Sequence, residues 1–275
     1  MRTFTQIEKQ LSRVSDGHVH LFNHENTVPI SHTKTIVGFE DIEFRSLDQY
    51  TNGQTLEHYD NYIANNNLDG IILCATGIDT KTIIDTHKKY PDIIRGFGEL
   101  KCYAETKHGI KLPYNNLDWV ETIVRYSSWL DHPLPVIIHY NIDDKSKIVE
   151  LDGLLSNELY SNVPIVLCHC GMPGHGYDSN ISDDNIFNII VDLQKAHPNL
   201  WIDISYSGLD YIYNNPHKLP LLDPKRIYIG SDINPAIYRL GTSDEYISDA
   251  YNKMSTIYDK IDNSGNIFSL FLSGF

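Results

Sequence analysis

The chain has 275 residues, 41% hydrophobic and 21% charged, and its 36 acidic against 22 basic side chains give a formal net charge of −14. That length suits one large α/β domain, residues 1–275, and the composition implies no long disordered tract. The acidic balance argues against a nucleic-acid partner, whose phosphates need clustered Lys and Arg, and against an anionic membrane surface.

Residues 1–14 carry Glu8, Lys9 and Arg13 and lack an apolar run, so no signal peptide is expected there. The first expected strand is His18–Leu21. Side chains at i and i+2 of a strand share a face, so His18 and His20 can chelate one ion, with Asp16 on that face to orient a ligand or brace the strand. Thirteen His in 275 residues give about 0.6 such pairs by chance, so the pair gains meaning only from its context. Thr35–Phe39 is the best candidate for a second strand, inside an otherwise irregular stretch, 23–52.

From residue 68 onward, short β-branched runs alternate with helical patterns. Gly70–Ala75 reads as a strand and Thr80–Tyr90 as a helix closed by Pro91; Ile93–Lys101 is a strand and Leu117–Leu130 a helix. Val136–His139, Ile165–His169, Leu200–Ser205 and Ile227–Asp232 are strands, with helices near Lys145–Leu159, Asn185–His197 and Asp244–Ile261. The alternation predicts βαβ units around a parallel sheet, and with Thr35–Phe39 it totals eight strands, the count of a (β/α)8 TIM barrel. Glu99 then lies on strand four; the alternative puts it on strand three, with a short strand near Gly109–Leu112. The stretches 23–52 and 103–116 both follow candidate ligand-bearing strands and are expected to hang over one mouth as lids or binding loops. The late apolar run Ile267–Leu272 is too short to span a bilayer. Cys74, Cys102, Cys168 and Cys170 form no C-x-x-C pair and read as reduced thiols of a cytoplasmic protein.

His18, His20, Glu99, His139, His169 and Asp232 each stand at or near the C-terminal end of an apolar strand, where parallel barrels keep their catalytic groups. Imidazole and carboxylate donors suit a divalent ion, zinc first, with Mn2+, Fe2+ or Co2+ as alternatives. A buried His is costly unless both ring nitrogens are satisfied, which a metal and an acceptor behind the ring achieve together. The bland readings are strand-end histidines bonded to loops, Glu99 paired with Lys101, and Asp232 as a helix cap. Lys101, Tyr140, Asn141, His175 and Tyr206, with Phe22 and Asn234, are expected to line the mouth and contact a small organic substrate.

These residues in this order resemble the amidohydrolase superfamily, and the resemblance covers nearly the whole chain. That family carries D-x-H-x-H on strand one, a Lys or Glu on strand four, His on strands five and six, and Asp on strand eight. Val166–Gly171, Leu200–Ser205 and Ile229–Asp232 resemble the amidohydrolase-related branch that also holds metal-dependent decarboxylases. The resemblance implies that His18, His20 and Asp232 bind one ion and His139 and His169 a second, bridged by Glu99. Here the strand-four group is Glu, where many members use a carboxylated Lys. Many decarboxylases of the branch lack that acid, hold one metal and use the strand-six His on substrate, leaving His169 as ligand or catalyst. The expected activity is hydrolysis of an amide, ester or lactone by metal-activated water, with Asp232 as general base; the alternative is non-hydrolytic decarboxylation of a carboxylated ring. Homo-oligomerisation is compatible with either.

Overall fold

The computed structural model describes residues 15–22, 34–40, 56–65, 68–77, 79–102, 117–174, 179–232 and 243–272. Residues 103–116, most of 23–52, His175 and Asn234 lie outside these segments, as does the side chain of Phe22.

Eight strands run β1 Asp16–Phe22, β2 Lys34–Glu40, β3 Ile71–Ala75, β4 Ile94–Lys101, β5 Val136–His139, β6 Ile165–Leu167, β7 Leu200–Ile204 and β8 Ile227–Ile229. They form one sheet in chain order, every neighbouring pair parallel. The second strand within 23–52 puts Glu99 on β4, as the eight-strand count required. The sheet is curled, and past the end of β8 the Asp232 N–H donates to the His18 carbonyl at 3.0 Å, while both Ser231 donors reach the Asp16 carboxylate. Tyr251 also donates to Asp16, so this acid braces the meeting of β1 and β8.

The connections are helices: α1 Leu56–Asn65, α2 Thr80–Lys89, α3 Asp118–Ser128, α4 Lys145–Leu155, α5 Asp183–Ala196, α6 Tyr206–Asn214 and α7 Ser243–Tyr258, with α8 Asn263–Phe271 last. Asp79 and Asp144 cap α2 and α4 by accepting backbone N–H bonds, each worth about 1 kcal/mol. On α3, Trp119, Val120, Ile123 and Val124 are buried, the stripe that 3.6-residue periodicity predicts.

Both faces of the sheet are covered, which is why its strands read as unbroken apolar runs. Leu73, Ile138, Leu167, Ile202 and Ile229 face the helices in the larger core. Their neighbours Ile72, Cys74, Ile137, Val166, Cys168 and Tyr228 face inward and pack with Ile267, Leu270 and Phe271 of α8. The late apolar run is thus part of the inner core. All four cysteines are free and buried, and no described helix is long and apolar enough to cross a membrane.

Several strand ends differ from the sequence pattern. β6 stops at Leu167, because His169, Cys170 and Gly171 turn sharply with φ of 57°, 55° and 64°. Asp232 lies beyond β8 with φ 51°, and Tyr206 follows β7 with φ 45°. Each non-glycine residue in this region costs about 1–3 kcal/mol and persists only where surrounding structure enforces it. The helix expected to reach Leu159 ends at Leu155, followed by a short 3-10 turn, Glu158–Tyr160. Neither α1 nor α6 was foreseen.

Candidate metal centre

At the C-terminal strand ends, the chain brings His18, His20, Glu99, His139, His169 and Asp232 into one cluster, buried except for the partly exposed His139. Local backbone explains how. β1 has register irregularities between Asp16 and His20, and His18 and His20 end with Nε2 atoms 3.3 Å apart. β4 carries Glu99 after Gly98, whose φ of 124° and 2.3 Å Cβ approach to the Ile137 carbonyl admit only glycine. The left-handed turns after β6 and β8 deliver His169 and Asp232.

Two groupings emerge. Asp232 Oδ1 lies 3.3 Å from Nε2 of both His18 and His20, and Glu99 Oε2 lies 3.3 Å from His20 Nε2. Those separations match the edge of a ligand tetrahedron with bonds of about 2.0 Å, the length of a zinc–nitrogen or zinc–oxygen bond. The other oxygen, Glu99 Oε1, is 2.5 Å from His139 Nδ1 and 3.4 Å from His169 Nε2. Nε2 of His169 is buried and, among the described residues, has no hydrogen-bond partner. Buried carboxylates, converging imidazole nitrogens and an unsatisfied ring nitrogen fit a divalent cation.

The electrostatics agree. Burial alone would raise the Glu99 carboxyl, yet the charges of His139 and Lys101, a hydrogen bond from His139 and the nearby His169 hold it well below the usual range. Asp232 is likewise held well below, burial being outweighed by His169 and by bonds from His18 and His20. Burial opposes protonation of His18, but Asp203 beside it raises its pKa well above 6.5. In His139 burial dominates and lowers the pKa despite Glu99. Three buried carboxylates facing four imidazoles hold negative charge that requires a partner, either protons on the rings or a metal.

Behind the cluster stands Asp203, which the sequence did not single out. Its Oδ2 accepts from His18 Nδ1 at 2.5 Å and from the Ser205 hydroxyl at 2.8 Å, and Ser205 Oγ lies 2.8 Å from His169 Nδ1. A signal existed: an acid at an inward position of an otherwise apolar strand.

The expected substrate residues divide. Lys101 Nζ lies 3.7 Å from Glu99 Oε2, the pairing held as its bland alternative. The Tyr206 ring packs edge-on to His169 at 5.7 Å. Asn141 is buried with its side-chain oxygen unpaired. Tyr140 departs from expectation: it is fully buried and donates its hydroxyl to Glu150, because the side chain after the inward His139 alternates to the helical side.

No family model and no curated protein matches the chain. Among solved structures, one from Acinetobacter baumannii, assigned provisionally as a 2-pyrone-4,6-dicarboxylic acid hydrolase and holding citric acid, is 18% identical; the match covers 95% of this chain and 99% of that one, with TM-score 0.55. A second, from Pseudomonas putida with the same provisional assignment, is 14% identical, covering 94% and 98%, with TM-score 0.51. The chain therefore shares its fold with these two structures.

Proposed function

We propose that this chain is a metal-dependent hydrolase of the amidohydrolase superfamily, built on a closed (β/α)8 barrel and acting on a small ester, lactone or amide. The division of Glu99 carries the reading. One of its oxygens faces the His18, His20 and Asp232 group and the other faces His139 and His169. A carboxylate so placed suits a bridge between two ions, the first held by His18, His20 and Asp232, the second by His139 and His169. When bound, the divalent metal, zinc foremost, supplies a Lewis acid that polarises a substrate carbonyl and brings the ionisation of water towards about pH 7.

The protein groups have separate tasks. Asp232 turns Oδ1 to the paired histidines, while Oδ2 lies 4.0 Å from His169. Held ionised, Asp232 accepts the proton of the attacking water at Oδ2 and returns it to the leaving group. Lys101, Asn141 and Tyr206 contact the substrate, which stacks against the Tyr206 ring. Lactones stand first among candidates, because the two structures compared above are provisionally assigned as 2-pyrone-4,6-dicarboxylic acid hydrolases.

The test is a panel of lactones, esters, amides and carboxylated aromatic rings, offered to chelator-stripped and zinc- or manganese-reloaded protein. Hydrolysis products, resolved by chromatography, and CO2 release are followed separately. Hydrolysis that disappears on stripping and returns with metal is the expected result. Hydrolysis indifferent to stripping, or CO2 release from a carboxylated ring without hydrolysis of any panel member, would overturn the proposal.

A further inference from the structure

We propose that Asp203 is a positioning residue shared by both halves of the centre, fixing the donor atoms of His18 directly and of His169 through Ser205. The inference rests on the metal-centre reading above. Its first support is proton bookkeeping. An ionised carboxylate only accepts, so the Ser205 hydroxyl, 2.8 Å from Asp203 Oδ2, must spend its single proton there. Ser205 Oγ can then only accept from His169 Nδ1 at 2.8 Å, which puts a proton on that nitrogen. His18 Nδ1, 2.5 Å from the same Oδ2, must also carry a proton. Both rings are thereby obliged to aim Nε2 at Glu99 and Asp232, His18 at 3.3 Å from Asp232 and His169 at 3.4 Å from Glu99.

The second support is what Asp203 does not do. Asp16, a carboxylate that braces the sheet, accepts from the backbone N–H groups of His18 and Ser231. Asp203 is equally buried, yet among the described residues Oδ1 has no hydrogen-bond partner and Oδ2 serves only His18 and Ser205. Its bonding is devoted to the two histidines rather than to the fold. β7 places it for this, since Asp203 follows the inward-packing Trp201 by two residues and Ser205 follows by two more. One carboxylate therefore couples two imidazoles assigned to different ions. The consequence is an asymmetry: losing Ser205 disturbs one half of the centre, and losing Asp203 disturbs both.

The experiment compares the full-length wild type with Ser205→Ala, Asp203→Ala and the near-isosteric Asp203→Asn. Two readouts apply: zinc affinity by competition with a chromophoric chelator, and the imidazole Nδ1–H protons of His18 and His169 in 1H–15N spectra of the metal-free protein. The wild type should show both protons. Ser205→Ala should lose that of His169 alone and weaken one of two zinc affinities by roughly 10- to 100-fold. Asp203→Ala should lose both protons and weaken both affinities by a similar factor. Asp203→Asn, without the charge, should weaken both less, and it decides the matter if the alanine variant does not fold. Retention of both protons and both affinities in a folded Asp203 variant would overturn the proposal. Wild-type protein that binds no zinc would defeat the metal-centre reading, while the proton pattern would still decide whether Asp203 orients the two rings.

Discussion

Gly230→Ala probes how the ends of the sheet meet at the site. A Cβ at residue 230 would lie 2.3 Å from His18 Cβ, 2.6 Å from its backbone nitrogen and 2.9 Å from its Cα. Ordinary contact begins near 3.4 Å, so β8 and β1 must part by about 1.1 Å. Nothing there can rotate away, because backbone atoms are among those met. Overpacking of this kind costs about 1–3 kcal/mol, which at about 2–4 °C per kcal/mol lowers the melting temperature by roughly 2–12 °C. The same shift moves His18 beyond the roughly 0.5 Å that a preorganised site tolerates, so zinc affinity should fall at least tenfold. Gly153→Ala is the control: nothing lies within 4 Å of its Cβ in the last turn of α4, and alanine should stabilise the helix by at most about 0.5–1 kcal/mol. Thermal unfolding without metal and chelator competition with zinc measure both effects. A Gly230→Ala protein with unchanged melting temperature and affinity would refute the close approach of β1 and β8.

Glu99→Ala should lower zinc stoichiometry from two towards one and reduce activity with it; unchanged metal content, with only stability lost, would return Glu99 to a simple ion pair with Lys101. Asp232→Asn should keep the fold and most of the metal but lose about 10^2- to 10^4-fold in kcat, since an amide oxygen coordinates yet accepts no proton; wild-type kcat would remove Asp232 from that role. His87 is buried between Phe97 and Tyr126, and burial lowers its pKa. The folded state therefore favours neutral His87, a contribution fully present above the unfolded value of about 6.5 and lost as pH falls below it towards the folded value. His87→Phe should flatten the acid-side fall in melting temperature between about pH 6.5 and 5; an unchanged slope would contradict this.

Much of the fold was legible because strands buried on both faces announce themselves: Val136–Ile138 and Ile165–Leu167 are β-branched or leucine throughout. The strand-end His and acids were legible for the same reason, as polar residues closing apolar runs. Asp203 escaped because its meaning depends on His18, 185 positions away, and on a hydroxyl that has only one proton to give. The ends of β6 and β8 escaped because His169 and Asp232 take left-handed backbone, which is uncommon for any single non-glycine residue even though His and Asp tolerate it better than most. Tyr140 was misplaced by adjacency: one step beyond a strand-end ligand reverses the direction of the side chain. α6 was hidden because Tyr206 opens it with a positive φ and no residue caps it by side chain.

The central claim is a two-ion centre bridged by Glu99. Its most direct test is the metal content of the wild-type chain, stripped with chelator, reconstituted in excess zinc, freed of loose metal and measured by elemental analysis. The account predicts two zinc ions per chain. A fully active protein holding one ion, or none, would contradict it.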